Sequence, residues 1–160
     1  MDVARFGESH GYESDNERPH AWTYRDAVIR ALNDDLPFDQ FVKLQVAGDI
    51  ISPKDSLAVS LTGFLSAGST VTNVDGVDRE KANYDKMDDI VSATGSAFLG
   101  LTVGCARCHN HKYDPISQED YYKMVGFFLP GREGDRELEI GKPGSKVKAM
   151  VWNGGNTTKN

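Results

Sequence analysis

The sequence predicts an all-α protein, a small helical domain of about five helices with irregular N- and C-terminal segments. Three observations point there. Apolar residues recur at helical spacing, most clearly at Met87, Ile90, Val91, Thr94, Ala97, Phe98 and Leu101. Prolines and glycines at Pro19, Pro37, Gly48, Pro53 and Gly68 punctuate the chain between such stripes. A length of 160 residues is enough for one core without staples.

The elements follow in order. The polar stretch up to Pro19 shows no sustained period and reads as an irregular arm anchored by Val3 and Phe6. Pro19 is tolerated where a helix begins, and Trp22, Val28, Ile29 and Leu32 share one face of a first helix over 21–32. Asn33, Asp34 and Asp35 end it. Pro37 opens a second helix, in which Phe38, Phe41, Val42 and Val46 follow a 3-4 pattern up to Gly48. After Pro53, Leu57, Leu61, Phe64 and Leu65 predict a short third helix ending near Gly68. The stretch 69–77 reads as a loop, with a Val-Asp-Gly turn.

The stripe from Met87 to Leu101 spans four turns and has acids towards its start, where the helix dipole favours them. It stops near Gly104. Ser117-x-x-Asp120 has the form of a helix cap, leading into Tyr121, Met124, Val125 and Phe128. From Gly131 onward glycine, proline and charge dominate. The chain therefore divides into a folded unit over 1–130 and an irregular segment over 131–160.

Composition narrows the function. Hydrophobic residues make up 39% and charged residues 26%, with a net charge of −6. The mean hydropathy is −0.48. An acidic chain with scattered lysines and arginines offers no nucleic-acid surface. No stretch approaches the ~20 apolar residues of a membrane span. The first residues lack a basic segment followed by an apolar one, so no secretory leader is legible.

The only two cysteines are Cys105 and Cys108, followed at once by His109. Cys-x-x-Cys-His is the spacing of c-type haem attachment. Two thiols three residues apart match the two vinyl groups on one side of a porphyrin, and the next histidine swings under the iron. Other readings of the same residues stay open. A thioredoxin-like pair would follow a strand, and no strand pattern precedes these cysteines. A zinc site would need His109 and His111 as well, all within seven residues, which strains a tetrahedron. A disulfide across so short a loop gains little.

If His109 is the proximal ligand, the candidates for a sixth ligand are His10, His20, Met87, Met124 and Met150, with His10 ranked first. His111 lies too near His109 to reach the opposite haem face and reads as a supporting group. Tyr113, Tyr121 and Tyr122 are candidates to line the haem pocket. Asp85, Asp88 and Asp89 read as surface residues complementing a helix start. Asp75, Gly76 and Asp78 echo part of a calcium loop but lack its glutamate spacing.

Several segments together resemble a known family. They are Asp2-Val-Ala-Arg-Phe-Gly-Glu-Ser-His-Gly-Tyr-Glu13, Ala21-Trp-x-Tyr-Arg-Asp26, Leu36-Pro-Phe-Asp-x-Phe-Val42, Gln45-x-Ala-Gly-Asp49 and Thr62-Gly-Phe64. They continue through Asp88-Asp-Ile-Val-Ser-x-Thr-Gly-Ser-Ala-Phe-Leu-Gly-Leu-Thr-Val103 and Cys105-Ala-Arg-Cys-His-Asn-His-Lys-Tyr-Asp-Pro-Ile116. This order is similar to the cytochrome-associated domain of planctomycete-type secreted proteins, over about residues 2–130.

The resemblance implies a periplasmic or extracellular protein, part of a longer exported chain whose leader lies upstream or is lost. Its partners would be a redox protein and adjacent domains of the same polypeptide. Family members are thought to act in electron transfer or surface polysaccharide metabolism. The expected function is a mono-haem c-type cytochrome module binding covalent haem c and passing single electrons. The alternatives are a structural or carbohydrate-interaction module whose cysteines hold zinc or a disulfide, and a peroxidase-like haem enzyme.

Overall fold

The computed structural model describes residues 1–11, 15–71 and 78–154. Helices α1 (Trp22–Asn33), α2 (Phe38–Ile51), α3 (Ser56–Leu61), α4 (Gly63–Ser66), α5 (Asp78–Thr94) and α6 (Gln118–Phe128) precede strands β1 (Arg132–Glu139) and β2 (Lys146–Asn153). Short 3-10 turns occupy Asp2–Ala4 and Val103–Arg107, and a π turn occupies Gly95–Leu99. Among the described residues no helix is long and apolar enough to cross a membrane.

The strands correct the all-α expectation. They form an antiparallel hairpin in register from Arg132 opposite Asn153 to Glu139 opposite Lys146. Its connection holds Gly141 and Gly144 at φ 83° and 81°, a region that favours glycine. Within the C-terminal segment, Arg132–Glu139 and Lys146–Asn153 are thus strand and not irregular. Its β1 half is polar because Leu138 is its one fully buried side chain, while Ala149, Met150, Val151 and Trp152 of β2 are all buried. Val151, Ala149 and Leu138 pack with Val59, and Trp152 enters the main core with Phe64, Leu65, Met87, Ile90 and Val91. The arm is only partly irregular: besides its opening 3-10 turn it makes a bridge between Ser9 and Glu17. The proposed loop over 69–77 lies outside the described residues from 72 onward.

Helix α1 lies where its sequence places it but buries a different face. Tyr24, Ala27 and Ala31 point inward, whereas Ile29 and Leu32 are exposed. The small alanines admit close packing on α3, and the Tyr24 hydroxyl donates to Gln45 Oε1 at 2.8 Å, both groups buried.

Glycine sets the closest approach. A Cβ on Gly48 would lie 2.0 Å from the Ala58 carbonyl oxygen, so α2 and α3 meet backbone to backbone there. Next to it α2 kinks, with Ala47 at φ −146° and ψ 26°. Gly48→Ala is expected to destabilise the fold by about 2 kcal/mol, read as a lower urea midpoint with an unchanged slope. Asp55 then caps α3 by accepting the Leu57 N–H at 2.9 Å.

The longest stripe behaves as its spacing predicts over its first half, burying Met87, Ile90, Val91 and Thr94. Beyond Thr94 the helix widens into the π turn, and Gly100 at φ 66° ends it. The Leu101 N–H returns to the Gly95 carbonyl at 3.1 Å. Gly95 faces Val103 so closely that a Cβ would come within 2.9 Å of its side chain. This reversal is what delivers the cysteine segment back onto α5.

The hairpin is clasped to the helices by charge. Glu133 Oε1 lies 3.4 Å from Arg18 Nη2, while Oε2 meets Lys86 Nζ and takes the Thr70 hydroxyl at 3.2 Å. Arg18 also donates to the carbonyls of Ser66 and Ala67, and its side chain is 3% exposed. Burial raises the Glu133 carboxyl, but Lys86 and Arg18 outweigh it and hold the group below its ordinary value. His10, beside the same charges, is lowered by burial and by Arg18.

Both shifts have the same sign for stability. A depressed folded value means the charged Glu133, or the uncharged His10, is the form the fold favours. Each contribution is complete above the ordinary value of 4.5 or 6.5 and is lost as pH falls through the folded one. Stability is therefore expected to decline from neutral pH into acid, beginning with His10, and His10→Gln should flatten the upper part of that decline in unfolding titrations.

Candidate functional site

Cys105 and Cys108 are both unpaired and exposed. Cys105 sits in the 3-10 turn and Cys108 caps it, its N–H pointing to the Cys105 carbonyl at 3.4 Å. Cys105 and Cys108 therefore stand at i and i+3 across the end of one turn. Ala106 between them is fully buried, and Gly104 lies against Ser92, where a Cβ would come 3.1 Å from the hydroxyl oxygen.

Arg107 fastens this turn to α5, its Nη2 donating to Asp85 at 2.9 Å and its Nη1 to Asp88 at 3.1 Å. These bonds, Asp85 first, hold the Arg107 guanidinium above its ordinary value. Lys81 and Arg107 in turn hold the Asp85 carboxyl below its own. The Arg107 carbonyl accepts from Gln118 Nε2 at 2.9 Å and from the Tyr122 hydroxyl at 3.2 Å, which ties the turn to α6. The Gln118 N–H donates to Asn110 Oδ1 at 2.9 Å. At the head of α6, Ser117 and Asp120 form the reciprocal cap their spacing announced.

The carboxylates thus have a different role from the one expected. Because α5 begins at Asp78, Asp85, Asp88 and Asp89 lie in its middle, and each is captured by a partner. Asp89 takes Arg5 at 2.9 Å, and Asp88 accepts from the Tyr121 hydroxyl as well as from Arg107. Burial, then Asp88, pushes the Tyr121 phenol well above its ordinary value.

The two histidines of the segment are set in opposite tautomers. His109 Nδ1 lies 2.8 Å from the Asn110 carbonyl, which can only accept, so Nδ1 carries the proton. Its Nε2 keeps a lone pair, and the residue is exposed. His111 Nδ1 instead receives the Asp114 N–H at 2.9 Å and faces the Tyr113 N–H at 3.4 Å. Asp114 Oδ2 lies 3.2 Å from the same nitrogen, a contact that becomes an ion pair only on protonation. The two converging N–H groups select the lone-pair form at Nδ1, and the proton therefore sits on Nε2. His111 is 6% exposed and pins the loop, its own N–H reaching the Ile116 carbonyl at 2.8 Å.

Of the other expected residues, Tyr122 touches the turn through the Arg107 carbonyl, and the rest are engaged differently. Tyr113 is 83% exposed, with Lys112 Nζ 5.2 Å from its ring centre. Tyr121 and Tyr122 spend their hydroxyls on Asp88 and on the Arg107 carbonyl. His10 lies beside Arg18, Glu133 and Lys86. At 3.6 residues per turn Lys86 is roughly 130° around α5 from the Asp85 and Asp88 pair that holds Arg107. Asp75 and Gly76 lie outside the described residues.

The residues present fit a covalent haem: two free thiols on one turn and a following imidazole with its Nε2 unengaged. They would hold it as thioethers from Cys105 and Cys108 and an Nε2 bond from His109. A closed zinc site fits less well. Among the described residues no group of three or more His, Cys, Asp and Glu side chains is placed to hold an ion.

Fold and site define a class: a helical module with a C-terminal hairpin that presents an exposed dithiol-histidine turn. The family model PSCyt2, protein of unknown function (DUF1549), matches residues 1–133, and the chain belongs to that family. No curated protein and no solved structure matches the chain.

Proposed function

We propose that this chain is a c-type cytochrome module of the planctomycete-type secreted proteins, carrying one covalent haem and passing single electrons outside the cytoplasm. The observation that carries the reading is the pairing of two free, exposed thiols three residues apart with a histidine whose Nδ1 lies 2.8 Å from the Asn110 carbonyl, leaving Nε2 open. In attachment each S–H adds across a vinyl C=C, the sulfur bonding the carbon next to the ring and the hydrogen ending on the terminal carbon. When bound, the haem supplies the one-electron iron couple.

The chain supplies the rest. The Asn110 carbonyl fixes the orientation of the His109 ring. The double anchorage of Arg107, to α5 and to α6, holds the turn that carries both sulfurs. The physiological partner would be a redox protein, with adjacent domains of a longer polypeptide covering the haem. Co-expression with haem-maturation enzymes in a bacterial periplasm is expected to give a coloured protein with a Soret band that resists acid-acetone extraction. A colourless, correctly exported protein holding stoichiometric zinc would replace this reading with the structural one.

A further inference from the structure

We infer that the cavity between α1, α3 and the hairpin connection is a binding site for a small neutral molecule of the phenol class, an apolar ring carrying one hydroxyl. The site is separate from the cysteine turn, which packs on α5 and α6. It does not rest on the haem assignment.

The cavity has a volume of about 210 Å³. Drug-sized ligands occupy pockets from roughly 300 Å³ upward, so this one takes a single small ring and little more. Its apolar walls come from three elements. Trp22 and Ala27 belong to α1, Leu57 to α3, and Ile140 to the hairpin connection. The indole in the wall favours a flat ring, because aromatic pairs gain beyond the area they bury.

The hydroxyl of the ligand is called for by Ser60. This residue lines the same cavity, is 2% exposed, and its Oγ has no hydrogen-bond partner. Of the buried, unpartnered side-chain atoms among the described residues, no other belongs to a residue lining this cavity. Thr23, also in the lining, already donates its hydroxyl to the His20 carbonyl at 2.7 Å. A buried hydroxyl left alone carries a desolvation penalty that a partner removes. A serine can donate to a ligand hydroxyl or accept from it.

Charge argues for a neutral ligand. Asp26 and Arg30 line the cavity from the exposed side of α1. Each is already paired along the helix, Asp26 Oδ1 with Arg25 Nε at 3.1 Å and Arg30 Nε with Asp34 Oδ2 at 3.4 Å. With both charges compensated, neither a cation nor an anion is selected.

The experiment titrates the full chain with para-cresol and with toluene, which lacks the hydroxyl, and follows backbone amides by NMR. Para-cresol is expected to shift the amides of Thr23, Ala27, Ser60 and Ile140 together. In Ser60→Ala its affinity relative to toluene should fall roughly two- to tenfold, the worth of one neutral hydrogen bond. That variant loses an unpartnered hydroxyl and gains a better helix former, so its melting temperature should be no lower than that of the unaltered chain. Amide shifts absent from these four residues, or gathered around Tyr84 and Tyr122 instead, overturn the inference. An unchanged affinity ratio in Ser60→Ala overturns it as well.

Discussion

Glu133→Ala is expected to destabilise the fold by about 3–5 kcal/mol, because removing one partner of a buried ion pair leaves the other charge uncompensated. The charge left behind is Arg18, 3% exposed, its Nε already without a partner. Lys86, 20% exposed, loses its carboxylate too, while its ammonium stays 5.9 Å from the Trp152 ring. Strand β1 has Leu138 as its only fully buried side chain, so little apolar contact offsets the loss. Urea unfolding checks the magnitude. Glu133→Gln, which keeps the shape and an acceptor oxygen, should cost clearly less, and its stability should lose the part of the acid dependence that Glu133 supplies. Equal losses in the two variants would mean that packing, and not charge, holds the hairpin.

The second large effect is on the cofactor. Replacing Cys105 and Cys108 together by serine is expected to abolish covalent haem attachment while changing stability by less than about 0.5 kcal/mol, since both thiols are exposed and unpaired. Single replacements should leave one thioether, hence a haem still bound but with an altered spectrum. His109→Ala should separate attachment from ligation. Asn110 is predicted to act through its carbonyl, so Asn110→Ala should keep the haem, whereas a proline at 110, which alters that carbonyl's direction, should weaken the iron bond. Helical circular dichroism identifies any variant that fails by unfolding.

Much of the helical part was legible. Pro37, the Ser117 and Asp120 cap, and the Met87 to Val91 stripe are local signals, and local signals survive tertiary packing. The buried face of α1 is not legible in its apolar pattern because Ala27 and Ala31 carry little hydrophobic weight, while the larger Ile29 and Leu32 lie outside. The hairpin was hidden because β1 shows charge at most positions. Its partner β2 has the clearer strand composition, in Val147, Val151 and Trp152, but the glycines and lysines just before it mask that signal.

At the site, spacing alone exposed Cys105, Cys108 and His109. It did not reveal the hold of Arg107 on Asp85 and Asp88, a contact between residues 19 and 22 positions apart. The reversed tautomers of His109 and His111 depend on which backbone groups fold back on each ring, so no pattern of residue types announces them. The choice of His10 as a distal partner followed from its place in a polar arm, and the charges of Arg18, Lys86 and Glu133 around it are set by long-range folding.

The most direct measurement is intact mass of the exported chain after co-expression with haem-maturation enzymes, denatured before injection. The sulfurs of Cys105 and Cys108 are predicted to carry one porphyrin, adding one haem mass that the double serine variant lacks. A chain at its unmodified mass, or lighter by the two hydrogens of a disulfide, would contradict the account.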